Sequence, residues 1–570
     1  MEEKNPITYF AGIDRRNKRT SFGIKASDRT RHFYVIGKTG MGKSTMLENM
    51  AVQDIQSGNG ICFIDPHGLS VKKFLDYVPE NRIEDVIYFA PFDVNNPISF
   101  NVMEDVGPDK RHLVAQGLLS AFKKIWGEDT FSDRMEHITN NTLLALLEYP
   151  GSTMLGMTKI FTDAKYRKKV VNNITDPSVK AFWTEEFAGW DDRYRRDAYA
   201  AILNKVGQFT SNPLIRNIIG QEKSSFNFRD VIDNKKILLV NLSIGQVGEA
   251  NADLLGSMLT TKIYLAAMSR ADVSQNELAK LPNFYLYIDE FQNLANDSFA
   301  DILSQARKYK LNLTIAHQYI EQMPEKVHAA VFGNVGTMVA FRVGATDAEL
   351  LEKEFSPEFL VEDIVNLGFA QIYLKLMIDG ISSTPFSART LPPIKKPTLS
   401  FKDEVIEFSR KQFTQPKEQV EKKISEWHNQ SNLQSQKKGE SPIGEPQKND
   451  KRSFQKNESK NSPSLSLNDL KGRKDYQRIN NVTFRKEKKT LENNNGNALK
   501  KALSNAIQNF RGEDKEEVKK VFDKKDLKSV PQQKFNQRKY KNEHVNDKTK
   551  EIPKDVLEKM LYVKKPDENK

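Results

Sequence analysis

The segment at residues 37–45 most constrains what this chain can fold into. It reads Gly-Lys-Thr-Gly-Met-Gly-Lys-Ser-Thr and fits the pattern G-x-x-x-x-G-K-[ST]. The apolar run Phe33–Ile36 predicts a buried strand before it, and residues 44–56 predict a helix after it. In that context glycines let backbone N–H groups close around phosphate. The segment therefore predicts a nucleotide-binding P-loop.

Two side chains of this loop carry the chemistry. Lys43 neutralises charge on the β- and γ-phosphates, and the Ser44 hydroxyl can ligate Mg²⁺ at a helix N-terminus. The alternative is a glycine turn that joins strand and helix and binds nothing. We expect ATP and Mg²⁺ as cofactors, held by the loop residues Gly37, Lys38, Thr39, Gly40, Met41, Gly42, Lys43, Ser44 and Thr45.

Charge divides the chain into two unlike parts. Of its 87 Lys and Arg and 75 Asp and Glu, residues 401–570 hold 41 and 27, which leaves 46 and 48 for the first 400 residues. The last part is also poor in apolar residues, so it cannot bury enough surface to offset the entropy of ordering. It predicts a mostly disordered basic tail. Two short helical patterns, at 499–510 and 553–561, predict either segments that fold on a partner or transient helices.

Cysteine content and hydropathy exclude several classes of protein. The single Cys62 rules out a disulfide framework, and it lies in an apolar run as a small buried residue. No apolar stretch approaches the roughly 20 residues that span a bilayer, and the first residues lack a signal-peptide core. The sequence predicts a cytoplasmic protein that meets the inner face of the membrane only through a partner.

Apolar runs that follow the P-loop predict a doubly wound α/β domain with a mostly parallel sheet. These strand-like runs are residues 60–65, 86–92, 236–243, 284–289, 311–317, 336–343 and 371–378. No strand is predicted between residues 101 and 230, where helical spacing prevails. We therefore expect residues 1–100 and 231–400 to form one P-loop domain, residues 101–230 an inserted all-α domain, and residues 401–570 the tail.

One aromatic pattern in the predicted insertion allows two interpretations. Trp183, Phe187 and Trp190 have the spacing i, i+4 and i+7. They could form a base-stacking surface, but the spacing favours the core-facing stripe of a helix.

A P-loop needs a carboxylate for the Mg²⁺ shell and a base that orients the attacking water. Asp289 and Glu290 end an apolar run together, and we assign Asp289 to the metal with Ser44 and Glu290 to water activation. Asp65 also ends an apolar run, but Pro66 follows it. It can either end its strand in a turn or lie beside the phosphates.

Two further residues are candidates for catalysis. Gln318 follows a predicted strand at the edge where open α/β sheets bind ligands, so it is placed to sense the γ-phosphate. Arg307 ends the preceding helix. Its spacing alone favours a cation that stabilises a helix C-terminus, with an arginine finger for a neighbouring subunit as the alternative.

Several separated motifs together resemble a known family. The P-loop segment, residues 64–68, the helical insertion, Asp289 with its neighbours, and residues 316–318 are similar to the FtsK/HerA superfamily of hexameric DNA-translocating ATPases. Within it the likeness is to the conjugative coupling proteins of type IV secretion. It covers residues 28–389 and leaves out the tail. Coupling proteins usually begin with transmembrane helices, which this sequence lacks.

The resemblance implies a hexameric ring that moves DNA through its pore, with the helical domain at one mouth. It also favours Arg307 as a finger acting in trans, since the family's arginine lies shortly before the glutamine of the next strand, as Arg307 does before Gln318. DNA contacts would be non-specific. The tail lies outside the resemblance: its basic charge allows direct DNA binding or only a solvated linker, and its short helical segments could dock on a membrane-anchored or secretion-channel partner. The alternatives are a HerA-like motor that works with a nuclease, and a nucleotide-gated assembly protein that translocates nothing.

Overall fold

The structure is a computed structural model that describes residues 5–15 and 18–436. The strands in this part are β1 (Ile7–Arg15), β2 (Lys18–Lys25), β3 (Phe33–Ile36), β4 (Gly60–Asp65), β5 (Val86–Phe89), β6 (Ile237–Asn241), β7 (Phe284–Ile288), β8 (Leu311–His317), β9 (Thr337–Ala340), β10 (Gln371–Lys375), β11 (Met377–Ile378), β12 (Ile381–Ser382) and β13 (Phe386–Thr390).

The α-helices fall into three groups along the chain. Before the insertion lie α1 (Ala26–Arg29), α2 (Lys43–Gln56) and α3 (Leu69–Phe74). The insertion contains α4 (Pro108–Trp126), α5 (Asp133–Glu148), α6 (Gly156–Thr162), α7 (Ala164–Asn173), α8 (Pro177–Ala181), α9 (Phe187–Gly189), α10 (Asp192–Thr210), α11 (Pro213–Ile219) and α12 (Phe228–Asp233). After it come α13 (Ile244–Val247), α14 (Glu249–Met268), α15 (Gln275–Lys280), α16 (Ser298–Gln305), α17 (Glu325–Asn334), α18 (Ala345–Phe355), α19 (Val361–Val365), α20 (Lys402–Phe413) and α21 (Lys417–Gln436).

Eleven strands form one mixed sheet in the order β2-β1-β13-β10-β9-β3-β8-β7-β4-β6-β5. The seven strands from β9 to β5 are parallel, and β10, β13, β1 and β2 extend the sheet in antiparallel pairs. Strand β8 lies between β3, which leads into the P-loop, and β7, which ends before Asp289. The predicted mostly parallel α/β sheet is confirmed, and its carboxyl edge gathers the predicted site.

Alternate residues of the parallel strands enter two cores. Phe33 and Val35 pack on the face that α2 covers, whereas Tyr34 and Ile36 face the core shared with the insertion and α14. All four side chains are buried. Because helices cover both faces, nearly every residue of the parallel strands is buried and most are apolar, which is why the sequence pattern identified them.

Residues 101–230 contain no strand, so the insertion is helical as expected. Trp183 and Phe187 are 3% and 2% exposed. The core interpretation is confirmed for these two rings, and a base-stacking surface built on them is excluded. Trp190 is half-buried and packs against the same core.

The ordered chain continues past residue 400, which sequence analysis gave as the start of the tail. Helix α20 packs beside β5, where Ser409 Oγ accepts a hydrogen bond from the Tyr88 N–H at 2.9 Å. Helix α21 reaches the insertion, where Lys159 Nζ donates to the Trp427 carbonyl at 2.8 Å and lies 4.1 Å from its ring centroid. Long-range contacts give these polar helices a fixed place. The predicted disordered segment and its two short helices otherwise lie outside the described residues.

Within the described residues, no helix combines the length and the apolar character needed to cross a membrane.

Candidate nucleotide-binding site

The loop between β3 and α2 has the backbone of a phosphate cradle. Gly40 and Gly42 have φ angles of 78° and 112°, which side chains other than that of glycine rarely adopt. At Gly37 a β-carbon would lie 2.5 Å from Cβ of Phe341, so the loop passes against the end of β9. At Gly40 nothing lies within 4 Å of such an atom, which leaves open space on the loop's outer side.

Lys43 lies under this loop as a buried cation. Its Nζ donates to the carbonyl oxygens of Gly37 at 2.5 Å and Lys38 at 3.3 Å. Burial lowers the pKa of Lys43, although the charges of Glu290 and Asp289 act in the opposite direction. The carbonyl oxygens that accept from this ammonium carry no net charge, so a phosphate would add a stronger, charge-assisted hydrogen bond. The loop therefore fits a nucleoside triphosphate.

Ser44 and Asp289 meet although 245 positions separate them in the sequence. The Ser44 hydroxyl donates to Oδ2 of Asp289 at 2.8 Å. Burial raises the pKa of Asp289 to about 6, and the charges of Glu290 and Asp65 add to this, while the Ser44 bond and Lys43 oppose it. A divalent cation would relieve that desolvation penalty, and a hydroxyl beside a carboxylate is an oxygen set that Mg²⁺ accepts.

Glu290 is held in a left-handed conformation, with φ 51° and ψ 52°. Its backbone N–H donates to Oδ1 of Asp289 at 3.0 Å. Oε2 accepts from Nε2 of Gln292 at 2.6 Å, and Oε1 accepts from Nε2 of Gln318. Since a non-glycine residue seldom adopts this conformation without compensation, the surrounding contacts fix the direction of this carboxylate.

Gln318 joins Glu290 to the P-loop. Its Oε1 accepts a hydrogen bond from the Thr39 hydroxyl at 2.9 Å, while its Nε2 holds Glu290. The Gln318 side chain therefore connects the P-loop residue Thr39 with Glu290.

Of the predicted catalytic residues, the structure thus brings together Lys43, Glu290 and Gln318, but not Arg307. Arg307 is exposed in the short 3₁₀ helix Ala306–Tyr309 that precedes β8. Gln318 follows the other end of this seven-residue strand, which spans about 20 Å. Arg307 therefore lies at the opposite edge of the sheet from the P-loop of its own chain.

Asp65 has a local structural task. Its Oδ1 accepts from the N–H of His67 at 2.9 Å, and its Oδ2 accepts from the N–H groups of Ser70 and Val71 at 2.8 and 3.1 Å. These bonds fix the first turn of α3, so the contacts favour the turn interpretation left open above.

Sequence reasoning missed two groups of residues around the site. Gln292 follows Glu290 by two positions, and the amide beside two acids was a signal that could have identified it. A buried ion pair gave no such signal: Arg29 donates to both oxygens of Asp54 at 2.8 Å and to the Tyr287 hydroxyl at 2.7 Å. Asp54 lies on α2 and Tyr287 on β7, so this pair ties the P-loop helix to the strand that ends at Asp289.

This strand order and this site define a P-loop nucleoside triphosphatase fold with a helical insertion. A family model described as "Type IV secretion-system coupling protein DNA-binding domain" matches residues 20–356. The chain belongs to this family, as the resemblance of its motifs implied.

Solved structures of two other proteins are similar to the chain. The plasmid coupling protein TrwB in complex with ADP and Mg²⁺ is 17% identical, with a TM-score of 0.49, and 70% of this chain and 98% of that chain are covered. TrwB with a non-hydrolysable ATP analogue is 15% identical, with a TM-score of 0.49 and coverage of 69% and 96%. VirB4 of Thermoanaerobacter pseudethanolicus is 13% identical, with a TM-score of 0.44 and coverage of 71% and 99%. No curated protein matches the chain.

Proposed function

We propose that the protein is an ATP-hydrolysing motor of the coupling-protein type, which works as a hexameric ring and moves DNA in conjugation or type IV secretion. The observation that carries the proposal is the junction of the P-loop with the acidic pair: Ser44 Oγ lies 2.8 Å from Asp289, and Glu290 is linked to Thr39 through Gln318. A phosphate cradle, a metal carboxylate and an oriented base are the parts that phosphoryl transfer needs.

The residues divide the work of hydrolysis. Backbone N–H groups of the P-loop and Lys43 hold the phosphates, while Ser44 and Asp289 hold Mg²⁺. Bound Mg²⁺ would neutralise charge that develops on the phosphate oxygens. Glu290 orients a water for in-line attack, and Gln318 sets its direction according to whether phosphate contacts Thr39.

The position of Arg307 supports a ring. An exposed guanidinium at the far edge of the sheet cannot reach the phosphates of its own chain, but a head-to-tail neighbour can present it to them. Arginine supplied in trans stabilises the charge of the transferring phosphoryl group and raises the rate by about 10³-fold or more.

Cations on the insertion support contact with DNA. The guanidinium groups of Arg167 on α7 and Arg195 on α10 both lie near the Phe187 ring, at 5.4 and 5.2 Å from its centroid. Two basic side chains, one from each helix, therefore lie beside the same ring. Helices α7 and α10 also carry the exposed residues Lys168, Lys169, Arg193 and Arg196. Such a group suits sequence-independent phosphate contacts.

One experiment tests the proposal as a whole. The ATPase rate per chain is measured against protein concentration, with and without double-stranded DNA, while particle mass is followed. We expect turnover to appear with ring formation and to rise when DNA is added. A slow rate that DNA does not change would instead indicate a nucleotide-gated assembly protein.

A negative result has two distinct forms. Failure to bind ATP would reject the nucleotide site itself. A rate per chain that stays constant down to the monomer would reject the ring-dependent part and leave the site intact. Co-purification of a nuclease would favour a role in DNA end processing over a role in secretion.

A further inference from the structure

A lysine of the helical insertion contacts the segment that follows Glu290. Lys124 lies in the last turn of α4, and its Nζ donates to the backbone carbonyls of Gln292 and Ala295, the latter at 2.7 Å. Burial lowers the pKa of Lys124 to about 8, against the charge of Asp253. A cation in this position supplies donors to carbonyls at the end of the 3₁₀ helix Phe291–Asn293, where helix carbonyls lack partners.

The same segment holds the Glu290 carboxylate. While the Gln292 carbonyl accepts from Lys124, the Gln292 side chain donates to Oε2 of Glu290 at 2.6 Å. The other side-chain atom, Oε1 of Gln292, is buried and accepts no hydrogen bond from any described residue. A buried acceptor without a partner is unfavourable, so the hydrogen bonds of the Gln292 side chain are not enough to hold it in this position. The hydrogen bond from Lys124 to the backbone carbonyl of Gln292 restrains this residue instead.

Helix α4 has a closely packed neighbour in the fold. It packs closely on α14, because a β-carbon at Gly117 would lie 2.7 Å from Cγ2 of Thr261. The neighbouring lysine points elsewhere: Lys123 forms an ion pair with Glu136 at 2.7 Å, within the insertion. Lys123 is therefore a lysine of the same helix turn whose ion pair lies within the insertion, whereas Lys124 contacts the segment that follows Glu290.

We propose that Lys124 is a positioning residue for ATP hydrolysis, through which the helical insertion holds Gln292 and thereby the Glu290 carboxylate. This inference rests on the proposed function, because it assigns Glu290 the orientation of the attacking water. It makes the insertion part of the catalytic apparatus, so that a change in the position of α4 changes turnover more than it changes nucleotide affinity.

The test compares full-length wild type with Lys124→Met, Lys124→Arg, Lys123→Met, Gln292→Leu and the double variant Lys124→Met/Gln292→Leu. Values of kcat and KM for MgATP, the affinity for a fluorescent ATP analogue and the melting temperature are measured for each. We expect Lys124→Met to lower kcat about 10-fold, since small displacements of catalytic groups have effects of this size or larger. KM and the affinity should stay within about twofold, because the phosphate-binding groups are untouched.

Two comparisons separate positioning from general stability. Lys123→Met should keep wild-type kcat, and Lys124→Arg should recover at least about half of it, because arginine retains donors for the two carbonyls. The double variant should be no slower than the slower single variant, because both changes break one path. Losses that multiply in the double variant would overturn the proposal.

The remaining outcomes are also decisive. A wild type that does not hydrolyse ATP would reject the proposed function. An active wild type with a Lys124→Met kcat within twofold of it would reject this inference alone. If Lys124→Met does not fold, the Gln292→Leu variant is the deciding one. A normal kcat in that variant would show that the contact from Lys124 through Gln292 to Glu290 does not affect turnover, and would reject the inference.

Discussion

The two edges of the central sheet differ in how many side chains of the predicted catalytic site they bring into contact within one chain. At the carboxyl edge Lys43, Ser44, Asp289, Glu290 and Gln318 lie together, and each is hydrogen-bonded to another part of the site. At the amino edge Arg307 is exposed, and its guanidinium makes no hydrogen bond or ion pair with another described residue. One strand, β8, joins the two edges.

From this contrast we expect ATP binding and ATP hydrolysis to depend on different edges of the sheet. The carboxyl edge has what a single chain needs to hold a nucleotide and a metal. The amino edge offers an exposed guanidinium that lies far from the phosphate cradle of its own chain. A single chain should therefore bind ATP well and hydrolyse it slowly, and fast hydrolysis should need one edge of each of two chains.

The largest effect expected is at the amino edge. Arg307→Ala should lower kcat by about 10³-fold, the usual size for an arginine acting on phosphoryl transfer, while ATP affinity changes little. Steady-state ATPase assays and nucleotide titration measure the two quantities. Lys308→Ala is the matched control, because Lys308 is the adjacent exposed cation. Equal effects of the two variants would reduce Arg307 to a cation that stabilises a helix end.

Next comes the base at the carboxyl edge. Glu290→Gln keeps the shape of the side chain but removes its charge, so kcat should fall by about 10²-fold or more with ATP binding retained. Binding by isothermal titration and turnover by phosphate release are compared in one preparation. Near-normal turnover in this variant would remove Glu290 from the mechanism.

A smaller effect is expected where the P-loop contacts Gln318. Thr39→Val removes the hydroxyl that donates to Gln318 Oε1, so Glu290 loses its link to phosphate occupancy. We expect kcat to fall by about 10-fold, and Thr39→Ser to restore it because serine keeps the donor. If serine and valine behave alike, the hydroxyl does not decide turnover, and the link from Thr39 through Gln318 to Glu290 is rejected.

The smallest effect on turnover is expected at Asp65, although this residue lies at the same edge as the site. Asp65→Ala removes the acceptors for three backbone N–H groups at the start of α3. Urea denaturation should show a loss of about 1–3 kcal/mol in the free energy of unfolding, since buried donors lose their partners. kcat should stay within about twofold. A large loss of activity without a loss of stability would mean that Asp65 contacts the nucleotide after all.

The sequence predicted the parts of the fold that have a strong local pattern. Strands β4 and β8 begin and end at the predicted residues, because both are mostly apolar and every residue in them is buried. The P-loop and the acidic pair were predicted together because each follows such a strand. Strands β1, β2 and β13 were missed. They lie in the antiparallel part of the sheet, where partly exposed strands such as β2 and β13 have a weaker apolar pattern.

The other features that were not predicted from the sequence depend on contacts between residues far apart in the chain or on local backbone conformation. Arg29 and Tyr287 are 258 positions apart, and nothing local predicts that they share Asp54. Helices α20 and α21 have a polar composition like that of the tail, and they are ordered by contacts with β5 and the insertion. The role of Gln292 depends on a left-handed turn at Glu290, which spacing alone does not show.

The central claim is that the catalytic site is completed by a neighbouring chain, and mixing two inactive variants tests it most directly. Arg307→Ala keeps an intact carboxyl edge, and Glu290→Gln keeps an intact amino edge. If they are mixed in equal amounts before ring assembly, random order places the two intact edges together at about one quarter of the interfaces, and ATPase activity should recover up to that fraction of the wild-type rate per chain. A mixture no more active than the average of its two components would contradict the claim.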